Sequence, residues 1–77
     1  MKTVPDHNLK RLEYLSHFLY ELRVSEGLSQ EELSRIVNLH RNTIIRAESG
    51  KNLTVMSLFE LADAFQITPG ELFQDIE

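Results

Sequence analysis

Arg41, Asn42, Thr43 and Arg46 are the residues of this chain whose types and spacing point to a specific chemistry. An Arg guanidinium offers a planar fork of donors that fits the guanine edge in the DNA major groove, and an Asn amide offers the donor and acceptor that fit adenine. At 100° per residue Arg41, Asn42, Ile45 and Arg46 share one face of a short helix, opposite Ile44 and Ala47. The chain's own core has no use for them there. Ile45 on that face either meets a thymine methyl group or stands exposed without a role.

Other chemistries find no comparable support. The chain has no cysteine, so it has no disulfide, thiol nucleophile or cysteine zinc site. His7, His17 and His40 lack close metal-ligand spacing, so no metal and no cofactor is expected. Glu31 and Glu32 are adjacent and point to different helix faces, so they are no catalytic carboxylate pair. Serines 16, 25, 29, 34, 49 and 57 sit in no nucleophile elbow, and there is no glycine-rich phosphate loop. The expectation is a protein that is not an enzyme and takes no small-molecule ligand.

The charge balance looks unfavourable to DNA, at −4 overall, but it is unevenly placed. Residues 1–34 carry four basic and six acidic groups, net −2. Residues 35–51 carry Arg35, Arg41, Arg46 and Lys51 against Glu48, net +3, and residues 52–77 carry five acids and no base, net −5. Screening over about 8–10 Å leaves such a basic segment a local positive footprint.

The elements that must position these residues are helices. Seventy-seven residues make one small domain, 1–77. No apolar run is long enough for a membrane span, and the start Met1–Asp6 lacks the apolar stretch of a signal peptide, so a cytoplasmic location is expected. Leu9, Leu12, Leu15, Leu19 and Leu22 recur at steps of three and four and predict a long first helix over about 6–26, closed by Gly27. Ser29 and Glu32 form a capping box for a second helix to about Val37, and Asn38 suits a left-handed turn. A third helix is predicted over 41–49. Thr54 caps a fourth, with Val55, Leu58, Leu61, Ala62 and Phe65 as its apolar face. Thr68, Pro69 and Glu71 open a fifth. The link 38–40 is too short for a relaxed hairpin, so helices two and three must cross steeply, with Ser34 at the close approach. Ile36, Tyr14 and Phe18 read as core, with an additional protein contact as the alternative.

From Gly27 to Phe73 the strings GLSQEELSRIVNLHRNTIIRAESGK and LTVMSLFELADAFQITPGELF resemble the phage-repressor and Cro type of helix-turn-helix, the xenobiotic-response-element family. The narrower wording LHRNTI and GKNLT resembles the controller proteins of restriction-modification systems, which regulate their own operon. The resemblance implies an all-α, compact five-helix bundle of the lambda-repressor-like type, here with a lengthened first helix and its helix-turn-helix at about 29–49. It implies that Arg41, Asn42 and Arg46 read bases with Thr43 close to the DNA backbone. Gln30, Ser29, His40, Ser49, Lys51 and Asn52 fall where relatives contact phosphates. Glu48 matches a structural acid suited to pair with Arg23.

The chain departs from the family pattern at Asn38, which replaces a turn glycine, and at His40, which replaces a Ser or Thr cap and predicts a weaker helix start. Tyr20 stands near a position where relatives carry a basic residue. The extension through His7, Lys10, Arg11 and Tyr14 has no counterpart. The functional expectation is a sequence-specific double-stranded DNA-binding regulator, a homodimer on an approximately palindromic operator, with Leu72, Phe73 and Ile76 as candidate dimer surface, some of them packing on helix four instead. The alternative is a protein-interaction module, such as an antitoxin-like partner using the acidic C-terminal half.

Overall fold

A computed structural model describes residues 5–77. Residues 1–4 of the start read above for a leader lie outside the described residues. The chain forms α1 (Asp6–Ser25), α2 (Gln30–Val37), α3 (Arg41–Glu48), α4 (Val55–Ala64) and α5 (Pro69–Phe73), and no strand occurs among the described residues. This is the expected five-helix bundle. None of these helices is long and apolar enough to cross a membrane.

The starts of α2 to α5 all have side-chain caps. Ser29 Oγ accepts the Glu32 amide (3.0 Å) while the Glu32 carboxylate accepts the Ser29 amide (2.9 Å). Thr68 and Glu71 repeat this box, with Pro69 in the first turn. Thr54 Oγ1 accepts the Ser57 amide at 3.0 Å. Pro5 precedes α1 without a side-chain cap.

The helix ends share one device. Gly27, Asn38, Gly50 and Gln66 all have positive φ, at 70°, 56°, 77° and 58°. In each case the amide of the next residue bonds to the carbonyl five residues earlier: Leu28 to Arg23, Leu39 to Ser34, Lys51 to Arg46 and Ile67 to Ala62. The left-handed residue turns the chain so that this bond closes the last helical turn. Asn38 does so because its short polar side chain tolerates the conformation. Gln66 has no such advantage, and the pattern of residues gave no sign of it.

Leu15, Leu19, Leu33, Val37, Ile44, Ala47, Leu58, Leu61, Ala62, Phe65 and Leu72 form one core to which all five helices contribute. Several expectations need correction. Leu9 and Tyr14, on the extension of α1, are each 42% exposed: the leucine stripe runs past the end of the bundle at Leu9, and Tyr14 lies off that stripe. Ile36 is 58% exposed, since α2 is covered on the side of Leu33 and Val37 only, while Phe18 packs at the edge of the core as assigned. Val55 is also exposed: it shares the side of Leu58 and Ala62 but stands in the first turn of α4, beyond their cover.

Leu72, placed with the dimer surface, is fully buried against the rest of its own chain and has no area to offer a partner. The α1 extension instead receives the C-terminal tail. Arg11 Nε donates to the Glu77 carbonyl, and Ile76 packs on the core. Partial desolvation, and then the charge and hydrogen bond of Asp75, raise the pKa of the Tyr14 hydroxyl.

The α2 cap carries a pH signature. Bonds from the Ser29 amide first, and then its hydroxyl, hold the Glu32 carboxyl below its ordinary value. This contact stabilises the fold at pH above the ordinary carboxylate pKa and stops doing so as pH falls through the lowered folded value. Melting temperatures of wild type and Glu32→Gln are therefore expected to differ at neutral pH and to converge in acid. A gap that persists in acid would remove the charge from the explanation.

Candidate nucleic-acid interface

The link between α2 and α3 holds Asn38, Leu39 and His40 and turns the chain sharply, with Leu39 half-buried beneath it. His40 then starts α3. Its side-chain Nδ1 accepts the Asn42 amide at 3.0 Å. The weaker start predicted for this helix is thus corrected, because an imidazole nitrogen at the cap position does the work of a hydroxyl. An accepting Nδ1 leaves the proton of a neutral ring on Nε2, where it is a free donor.

Ile44 and Ala47 bury one face of α3, each 1% exposed, and Arg41, Asn42 and Arg46 project from the opposite face. Thr43 and Ile45 are half-buried at the margins. The exposed face therefore carries three side chains able to meet base edges, with nothing from the chain covering them.

An ion pair fixes α3 in this attitude. Arg23 Nε donates to Glu48 Oε2 at 2.7 Å and Nη2 donates to Glu48 Oε1 at 3.0 Å, a bidentate fork between α1 and the last turn of α3. Arg23 Nη1 donates to the Leu28 carbonyl at 2.7 Å, and Gln30 Nε2 donates to Glu48 Oε1 at 3.2 Å. The Glu48 carboxylate therefore gathers α1, α2 and α3 at one point. The Arg23 and Glu48 side chains are 13% and 7% exposed, and the hydrogen bond to Glu48 raises the Arg23 pKa further above its high ordinary value. The expected pairing of Glu48 with Arg23 is present, and Gln30 braces α3 through it. Tyr20, not assigned a role from the sequence, lies beside this cluster with its ring over the Arg23 guanidinium, 5.3 Å from the guanidinium carbon to the ring centroid. The i, i+3 spacing of Tyr20 and Arg23 was the available signal.

The residues assigned to phosphates fare differently. Ser29 accepts the Glu32 amide and shares its hydroxyl with the Glu32 carboxylate at an exposed helix start. Gln30 spends one amide hydrogen on Glu48 and retains the other. Ser49 Oγ donates to the Ile45 carbonyl at 2.6 Å, so its only proton is already engaged. Lys51 is exposed just after the turn at Gly50. Asn52 is exposed and lines a cleft of about 350 Å³ with Asn8, Arg11, Leu12, Phe73 and Ile76, beside α1 and α5. The segment after α3 runs down α1 from Glu48 at Arg23, past Gly50 near Ser16, to Asn52 near Leu12. Among the described residues no group of histidines, cysteines and carboxylates could hold a metal ion.

Comparison with known proteins agrees with this arrangement. A family model described as helix-turn-helix matches residues 19–72. The crystal structure of the restriction-modification controller protein C.AhdI from Aeromonas hydrophila is 38% identical, covering 80% of this chain and 96% of that one, with a TM-score of 0.75. A point mutant of the restriction-modification controller protein C.Esp1396I is 27% identical over 86% of this chain and 85% of that one, with a TM-score of 0.74. A hypothetical transcription factor from Neisseria is 26% identical over 94% of this chain and 83% of that one, with a TM-score of 0.76. Curated protein sequences give no match. A buried-faced α3 held at Glu48, and a match that spans α2, α3 and α4 in order, lead to one assignment: the chain belongs to the helix-turn-helix family, in its phage-repressor and Cro type.

Proposed function

We propose that this protein is a sequence-specific transcriptional regulator that lays α3 in the major groove of double-stranded DNA, with Arg41, Asn42 and Arg46 reading base edges. The observation that carries the reading is the uncovered face of α3 on a helix whose other face and last turn are locked into the domain. Ser29, Gln30, His40 and Lys51 contact phosphates around it, His40 through Nε2. Thr43 lies at the backbone side of the base-reading row. The 38% identity to C.AhdI, named as a restriction-modification controller, supports a controller-like regulator that acts on its own operon.

The same reading requires two copies on an approximately palindromic operator, with half-sites about one helical turn, roughly 34 Å, apart. An exposed apolar face supports this. Val55, Met56 and Phe59 share the outer side of α4 and are 63%, 65% and 46% exposed; Phe73 on α5 is 46% exposed. These four side chains, with the partly covered Ile76, replace the surface expected at Leu72. Phe59→Glu is expected to sediment as a monomer and to lose operator binding. A variant that stays dimeric would take α4 out of the interface.

Selection from a random duplex library at about 0.15 M salt tests the function directly. Enrichment of a two-fold symmetric site by the wild type, lost in an Arg41→Ala, Arg46→Ala double variant, is the expected result. No enrichment at any protein concentration sinks it and favours the second reading, a partner-binding module acting through residues 52–77, whose five acids stand without a base. A phosphate contact leaves a different mark. Lys51→Ala should weaken binding to all sequences alike and lower the salt slope by about one unit. Equal slopes would remove Lys51 from the contacts.

A further inference from the structure

The hydrogen bonds around Arg23 all lie at the edges of its guanidinium. Nε and Nη2 point to Glu48 and Nη1 to the Leu28 carbonyl, so three edges of the fork are fixed. Those bonds grip the guanidinium by its edges and leave its faces to whatever packs against them. The face of the guanidinium is where Tyr20 lies, 5.3 Å from centroid to carbon. His17 stacks in turn against Tyr20, with centroids 6.3 Å apart and planes 23° from parallel, and its Nε2 is 3.2 Å from Glu21 Oε1.

We propose that Tyr20 is a positioning residue for the recognition helix, its aromatic face pinning the Arg23 guanidinium against tilting and so holding Glu48, and with it α3 and Gln30, in register. The proposal rests on the DNA-binding reading for its consequence, though not for the contact itself. Three features favour this role over an idle surface ring. Tyr20 is 42% exposed and absent from the core, so its burial does little for the fold. It meets a cation whose charge is already committed to Glu48 and only 13% exposed, where water competes weakly for the guanidinium face. Its ring is also backed by His17, so it has less freedom to swing away. A lysine or arginine at position 20 would instead place a second positive charge one turn from Arg23, where like charges repel.

The test compares Tyr20→Phe, Tyr20→Leu and Tyr20→Ala with wild type in two readouts. The first needs no DNA: proton exchange at Arg23 Nε, followed by NMR. The second is the ratio of affinity for the selected operator to affinity for random duplex. Tyr20→Phe is expected to match wild type in both. Tyr20→Leu and Tyr20→Ala should each speed exchange and lower the affinity ratio by about two- to five-fold, the range a partly exposed cation–aromatic contact supplies, with binding to random duplex unchanged. A phenylalanine variant that falls with the alanine variant would overturn the proposal in favour of the hydroxyl group. Tyr20→Leu matching wild type would show that bulk alone suffices, and unchanged exchange in Tyr20→Ala would show that the ring restrains nothing. If the wild type selects no operator while the exchange results hold, the DNA-binding reading fails and the contact at Arg23 stands.

Discussion

Glu48→Ala is expected to lower the unfolding free energy by about 3 kcal/mol, at the low end for breaking a buried pair because Arg23 keeps some contact with water. The loss comes mainly from what remains. Without the carboxylate, Arg23 holds a charge at 13% exposure with a single carbonyl partner, Leu28, and Gln30 loses the acceptor for its amide. In a domain of this size the melting point should fall by roughly 10 °C or more. Urea unfolding of Glu48→Ala and of the double variant Arg23→Leu, Glu48→Leu separates the two contributions. Replacing both partners removes the orphaned charge, so the double variant should be the more stable of the two. Equal losses would mean that the pair itself, not the stranded charge, carries the energy. Neither variant is expected to hold α3 well enough for full operator affinity, because Glu48 is the point at which three helices meet.

Arg41→Ala and Arg46→Ala are expected to act on the opposite quantity. Both side chains are exposed and make no hydrogen bond or ion pair among the described residues, so melting points should stay within experimental error of wild type. Operator affinity should fall by about 1–3 kcal/mol for each, roughly 5- to 150-fold, with discrimination relaxed at the base pair each one reads and little change on random DNA. Competition titrations against single-base operator variants give the answer. Discrimination that survives both substitutions would break the assignment of α3 as the reading helix. Together the Glu48 and Arg41/Arg46 variants divide the domain into residues that hold the reading head and residues that read.

The helices were legible because their signals are local. Ser29 with Glu32, and Thr54 and Thr68 with their helices, are caps written within three or four residues, and the structure forms each of them. The exposed row of α3 was legible for the same reason: Ile44 and Ala47 name the buried side of an eight-residue helix, and the rest follows from its period. What was not legible depended on distant packing. Leu72 read as a candidate partner surface because the sequence does not say how tightly α5 seats on α4, and Val55 read as core because the period of a helix does not say where its cover begins. Gln66 in a left-handed conformation contradicts its residue type and is imposed by the closure of α4. Asn52 lines a cleft beside α1 and α5 because the chain leaving α3 is drawn along α1, a course set by packing far from its own sequence.

The three exposed side chains of α3 have a consequence for how such a regulator diverges. Since Arg41, Asn42 and Arg46 contribute neither to the core nor to the ion pair at Glu48, substitutions there meet almost no folding penalty, whereas Ile44, Ala47 and Glu48 on the same helix tolerate little. A gene duplicate could therefore exchange its operator preference through a few codons, in any order, without passing through an unfolded intermediate. Two copies of this scaffold in one cell could escape cross-talk quickly, and their recognition would drift faster than their architecture.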